Sequence, residues 1–205
     1  MRYWIACLSL FAAARTSRSA RAGDTDGFRP LFNGKDLAGW VLPADPDLFT
    51  VENGEIVGRT RGDLEKNEFL VTDRPYGNFY LKAKVKLRNG NSGIQFRSQR
   101  AEDGAVSGPQ ADVAEGYWGL LYEERGRGIL QRYPEDKADQ LIRKGDWNEF
   151  EILAHGDLVL ILINGTKVIE RIDPMFAQEG IIALQLHVGP PMEVRYKDIM
   201  IRTLD

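Results

Sequence analysis

Three pairs of polar side chains sit two residues apart: Gln110 and Asp112 in "GPQADV", Gln185 and His187 in "LQLHV", and Gln95 and Arg97 in "SGIQFRS". A fourth stretch, "YWGLLYEE", crowds Tyr117, Trp118, Tyr122 and Glu123 together. In an extended chain, residues i and i+2 lie on the same face, so each pair presents two groups side by side. A carboxyl and an imidazole can move protons, and histidine titrates near neutral pH. Amides and a guanidinium bind hydroxyls or an oxyanion, and aromatic faces stack on the apolar faces of a sugar ring. Residues 108–124 therefore read as a catalytic floor, a sugar-stacking platform, or a polar strand end.

The elements that must carry these residues are strands. In "NFYLKAKVKLR", Phe79, Leu81, Ala83, Val85 and Leu87 alternate with Tyr80, Lys82, Lys84, Lys86 and Arg88, the period of a strand with one buried face. Asn53-Gly54 and Asn164-Gly165 each divide two short β-prone runs, and both dipeptides favour the positive φ angles of a type I′ hairpin. Further strands are predicted at 92–98, 147–155, 180–188 and 192–204, with helical turns only at 134–144 and 173–178. Many strands with turn residues between them indicate an all-β fold, a two-sheet antiparallel β-sandwich or jelly roll. Alternation predicts that Ile94, Phe96, Leu184, Leu186 and Val188 are buried while Gln95, Arg97, Gln185 and His187 face outward.

With 205 residues, 43% apolar and 28% charged, the chain is sized and composed for one soluble globular domain, placed at 23–205. Residues 1–22 differ: Arg2, an apolar run from Tyr3 to Ala14, and a basic stretch ending on the small residues Ala20 and Ala22. That is the pattern of a signal peptide, so the protein is expected to be exported, periplasmic or extracellular. The run is too short for a stable membrane span. Cys7, the only cysteine, lies inside it, which leaves 23–205 without a thiol for disulfides or metal binding. The formal charge is −3, and residues 1–22 hold arginines and no acids, so the remainder is more acidic still. Nucleic acid and anionic lipid are poor partners for such a chain; a neutral carbohydrate suits it better.

The blocks "PLFNGKDLAGW", "NSGIQFRS", "GPQADV…YWGLLYEERGRG", "GDWNEFEILAHGD", "LINGTKVIERI" and "IALQLHVGPPMEVRYKDIMI" follow the order and spacing of a known family. Over roughly residues 28–204 the chain resembles the 3-keto-disaccharide hydrolase domain family. The resemblance implies a concanavalin A-like, glucanase-like sandwich, exported by bacteria, whose concave sheet holds sugar. It also implies cleavage of glycosides already oxidised to a ketone at C3.

A C3 ketone acidifies the C2 hydrogen and places the glycosidic oxygen on C1 β to the carbonyl. Cleavage by proton abstraction, elimination and hydration then needs a base near C2, a donor for the enolate oxygen and an acid for the leaving oxygen. Asp112 and His187 are the first candidates for proton transfer, Glu123 a second acid or base, and Arg97 the enolate partner. Gln95, Gln110 and Gln185 would bind hydroxyls; Tyr117, Trp118 and Tyr122 would stack on the ring. Bland readings stand beside these: Arg97 in a structural ion pair, Trp118 in the core, His187 in a satisfied structural niche. The sequence marks no certain cofactor; His187, Asp112, Glu123 and Gln185 form a donor set open to a divalent metal, with no compact ligand motif to identify it. Sandwich glucanases carry E-x-D-x-x-E, where this chain has Gln110-Ala111-Asp112-Val113-Ala114-Glu115. An amide cannot form a glycosyl ester, so retaining double displacement is disfavoured. The competing function is a non-catalytic, lectin-like carbohydrate-binding module.

Overall fold

A computed structural model describes residues 27–205, so the export-signal segment at 1–22 lies outside the described residues. Two antiparallel sheets pack face to face. The back sheet runs β13 (Thr166–Ile172), β12 (Leu158–Ile163), β11 (Asn148–His155), β6 (Phe79–Asn89), β15 (Glu193–Thr203), β4 (Glu55–Arg59) and β3 (Phe49–Glu52), with β1 (Arg29–Pro30) added against β15. The front sheet runs β10 (Gly128–Arg132), β9 (Leu120–Glu124), β8 (Val106–Ala114), β7 (Asn91–Arg100), β14 (Ile181–Leu186), β5 (Glu68–Thr72) and β2 (Trp40–Val41). This is the expected all-β sandwich.

The alternation in β6 sends Phe79, Leu81, Ala83, Val85 and Leu87 into the space between the sheets, where the front sheet contributes Ile94, Phe96, Val113, Leu121, Leu184 and Leu186. Burying both inner faces at once is what joins the layers. One polar contact crosses the core: the Tyr196 hydroxyl of β15 meets Ser92 Oγ at 2.6 Å, and Ser92 in turn donates to the Gln185 carbonyl at 2.5 Å. Both Asn-Gly dipeptides form two-residue hairpin loops, with φ of 53° and 78° at Asn53-Gly54 and 49° and 79° at Asn164-Gly165.

The helical turn expected within 134–144 is α1 (Glu135–Leu141). Residues 173–178 form a non-helical turn instead, because Asp173 accepts from Met175 N at 3.0 Å and holds the chain in a tight side-chain-closed loop. Val188 is 39% exposed rather than buried, since β14 ends at Leu186 and the alternation lapses with it.

Candidate active site

The outer face of the front sheet carries the polar pairs, and register explains how they meet. Gln95 on β7 lies opposite Gln110 on β8, and Gly93 opposite Asp112. On the other flank Leu184 of β14 pairs with Ile94, which sets Gln185 one step along toward Gly93. A Cβ at position 93 would come within 2.3 Å of the Gln110 side-chain carbon, so the missing side chain there is what lets Gln110 lie across the strand.

The amides form a ladder. Ser98 Oγ donates to Gln95 Oε1 at 2.6 Å, Gln95 Nε2 to Gln110 Oε1 at 3.0 Å, and Gln110 Nε2 to both Asp112 Oδ1 at 2.6 Å and Gln185 Oε1 at 3.2 Å. Gln185 Nε2 then donates to Glu124 Oε2 at 3.2 Å. Three uncharged side chains thus hold two carboxyls in place without supplying a counter-charge to either. A buried polar network of this kind is rigid when each member is satisfied.

Above the ladder opens a cleft of about 400 Å³. Gln110, Asp112, Tyr117, Tyr122 and His187 line it together with Glu124, Arg132, Asn91, Leu120 and Ile129. Asp112 is only 6% exposed, and burial pushes its carboxyl up to about 7; the Gln110 hydrogen bond opposes this, the Glu124 charge adds to it, and Arg132 offsets part. His187 Nδ1 lies 2.6 Å from the Val188 carbonyl. A carbonyl oxygen only accepts, so Nδ1 carries the hydrogen and Nε2 is the nitrogen left for exchange with a ligand. The Arg132 guanidinium sits 5.7 Å from the Tyr117 ring centroid, and Tyr117 is 44% exposed. Asn91 also lines the cleft, with its Oδ1 buried and without a hydrogen-bond partner.

The cleft therefore gathers Asp112, His187, Gln110, Tyr117 and Tyr122 of the residues expected from sequence. Gln95 and Gln185 belong to the same network but have 0% exposure, so they position Gln110 and Glu124 instead of touching a ligand. Arg97 does not join them. It sits in a bulge of β7 with φ of 47°, and its guanidinium donates to the carbonyls of Gly77 at 2.8 Å and Gly156 at 2.6 Å and to Asn78 Oδ1 at 2.8 Å. Glu123 faces away because adjacent strand residues point to opposite faces; it is clamped by Arg127 at 2.7 and 2.8 Å, which lowers its pKa. Trp118 packs inward, 4% exposed, with its ring centroid 6.1 Å from that of Phe150.

Glu124, Arg132 and Asn91 were missed by sequence reasoning. Alternation from Tyr122 would have found Glu124. The metal option loses its donor set: Glu123 is turned away, Gln185 is buried, and among the described residues no three His, Cys, Asp or Glu side chains gather to hold an ion. Glu115, the last carboxylate of the glucanase-type motif, pairs with Lys144 at 3.2 Å and does not line the cleft.

A larger depression of about 550 Å³ lies at the back-sheet edge near β3 and β4. Size favours it, but chemistry does not: its Arg59 is committed to Glu52 at 2.9 Å and Glu193 at 2.8 Å, and no aromatic ring lines it. The front cleft, with a displaced carboxyl, an imidazole and two tyrosines, is the better candidate.

A model of the 3-keto-alpha-glucoside-1,2-lyase-like domain matches residues 27–202. Among solved structures, a "putative glycosyl hydrolase" from Parabacteroides distasonis superposes with a TM-score of 0.65 at 24% identity, covering 88% of this chain and 95% of that one. The carbohydrate-binding module CBM66 from Bacillus subtilis gives 0.58 at 18%, covering 80% and 96%. A prokaryotic β-1,3-1,4-glucanase (lichenase) derived from a mouse hindgut metagenome gives 0.57 at 10%, covering 78% and 85%. At these identities the likeness is one of fold. No curated protein matches the chain.

Proposed function

We propose that this chain, which belongs to the 3-keto-alpha-glucoside-1,2-lyase-like domain family, cleaves glycosides carrying a ketone at C3, by elimination followed by hydration. The observation that carries the reading is Asp112: a carboxyl on the floor of an open cleft, pushed up to about 7 by burial and held by an amide rather than a cation. A carboxyl poised between its two states at neutral pH suits proton transfer, a step that sugar binding alone does not require.

In the proposed reaction, ionised Asp112 removes the proton from C2, and the C–H electron pair moves into the C2–C3 bond as an enolate. Arg132 is the cation in the cleft for the enolate oxygen, a role sequence reasoning assigned to Arg97. The enolate then re-forms the C3 carbonyl, the electron pair makes the C1–C2 double bond, and the C1–O bond breaks. Protonated His187 gives the Nε2 proton to the departing oxygen, so the aglycone leaves as a neutral alcohol. Water adds a hydroxyl at C1 and a proton at C2, giving the free 3-keto sugar. No oxidant or reductant takes part, and Gln110 forms no ester.

Tyr117 and Tyr122 supply faces for the pyranose ring. We also propose that the protein works outside the cytoplasm, which rests on residues 1–22 alone.

A second reading, sugar binding without turnover, is favoured by the likeness to CBM66. Methyl 3-keto-glucoside and its C2-deuterated form separate the two. The lyase reading expects methanol release, slowed severalfold by deuterium at C2, and little or no release by His187→Ala. Saturable binding with no methanol would establish the module, and release without an isotope effect would exclude C2 abstraction as the slow step.

A further inference from the structure

A second, smaller hollow adjoins the cleft. It holds about 220 Å³ and shares one lining residue, Glu124, with the cleft. Its lining includes Val188, the residue after His187, whose carbonyl fixes the imidazole. The two cavities thus flank Glu124, with His187 lining the one and Val188 the other.

Charged side chains ring the hollow, Glu65, Lys66, Asp103 and Arg125 beside Glu124. Its floor is apolar: Phe69 and Val106 belong to a hydrophobic cluster separate from the main core, completed by Val71 and Ala183, with Ile181 packed on it. Such a cluster on the otherwise polar face of the front sheet has no part in joining the two layers. Val188 leaves 39% of its surface exposed beside it. The walls are braced: Asn67 Oδ1 accepts from Val188 N at 2.7 Å, and Lys66 Nζ reaches the Asp103 carbonyl at 3.4 Å. The volume falls below that of pockets for drug-sized ligands, which suits one six-membered ring.

We infer that this hollow is the aglycone subsite, and that it selects 3-keto-glycosides whose leaving alcohol carries a single apolar ring. The inference rests on the lyase reading for its place in the reaction, and on the apolar floor for its specificity. The sugar ring lies over Asp112 in the polar cleft, the glycosidic oxygen sits near His187 and Glu124, and the aglycone ring covers Phe69, Val106 and Val188.

Benzyl and methyl 3-keto-glucosides test this, because both release ordinary alcohols and differ chiefly in the ring. The expected result is a kcat/KM roughly 10- to 100-fold higher for the benzyl compound. Ala105 lines the hollow, and Ala105→Phe, which fills it, should abolish that advantage and leave the methyl rate unchanged. Val106→Thr, which keeps the shape but exchanges a methyl for a hydroxyl, should reduce it. Equal rates for the two substrates, an equal loss of both in Ala105→Phe, or a preference for a 3-keto-disaccharide over the benzyl compound would overturn the inference. If neither compound is cleaved, the lyase reading fails, and the hollow is judged by calorimetry with the unoxidised glucosides: benzyl glucoside binding more tightly than methyl glucoside, and only in the unfilled protein, supports it, and equal binding refutes it.

Discussion

Asp112 is a residue whose position favours chemistry over stability. Its carboxyl is raised to about 7 in the fold against an ordinary value of 3.8, so the folded state holds the proton more tightly than the unfolded state. Between those two values folding strength falls as pH rises, and above about 7 the whole penalty of a buried charge is present. Asp112→Asn removes that penalty. The variant should melt at a higher temperature than the parent at pH 8, and the gap should narrow steadily toward pH 4. A gap that is constant with pH, or a less stable variant at pH 8, would show that burial does not control this carboxyl. The same scale shows what sequence could and could not reveal. The i, i+2 spacing of Gln110 with Asp112 and of Gln185 with His187 placed these pairs on the site face. Choosing Glu123 beside Tyr122 broke the same rule, and Glu124 is the carboxylate that obeys it. Arg132 carries no local mark, since it reaches the cleft through the pairing of an edge strand, Arg132 opposite Leu120.

At the scale of elements, the hairpins and the alternating strands were legible because their cause is local: Asn-Gly accepts positive φ, and one buried face imposes period two. The bulge in β7 was not. Its register shift between Gln95 and Gln99 is matched by one in β14 between Ile181 and Ala183, and both depend on neighbouring strands. Gly180 permits the close approach, since a Cβ there would lie 2.3 Å from the Arg97 carbonyl carbon. The bulge re-aims Arg97 into the loops at 77–78, 156 and 177, which it ties together as their hydrogen-bond donor. Arg97→Met would leave those buried acceptors unmet, and urea unfolding should show a loss of about 3 kcal/mol. Turnover per folded molecule should remain close to that of the parent. A variant as stable as the parent but without turnover would return Arg97 to the substrate.

The whole molecule divides its labour by face. The inner faces of both sheets are apolar and hold the layers together, the back sheet's outer face carries lysines and ion pairs, and the front sheet's outer face carries the candidate site. A sandwich of this kind serves enzymes and binding modules alike, so architecture does not choose between them. The choice falls on whether Asp112 works as a base while His187 works as an acid in one cleft. The pH dependence of kcat/KM for alcohol release from methyl 3-keto-glucoside, in the parent and in Asp112→Asn, puts that to the test. On the acid side of its profile the parent should gain activity as the Asp112 carboxyl ionises near pH 7, and the variant should lose at least about 100-fold together with that limb. An identical profile in both proteins, or sugar bound and never cleaved at any pH, would contradict it.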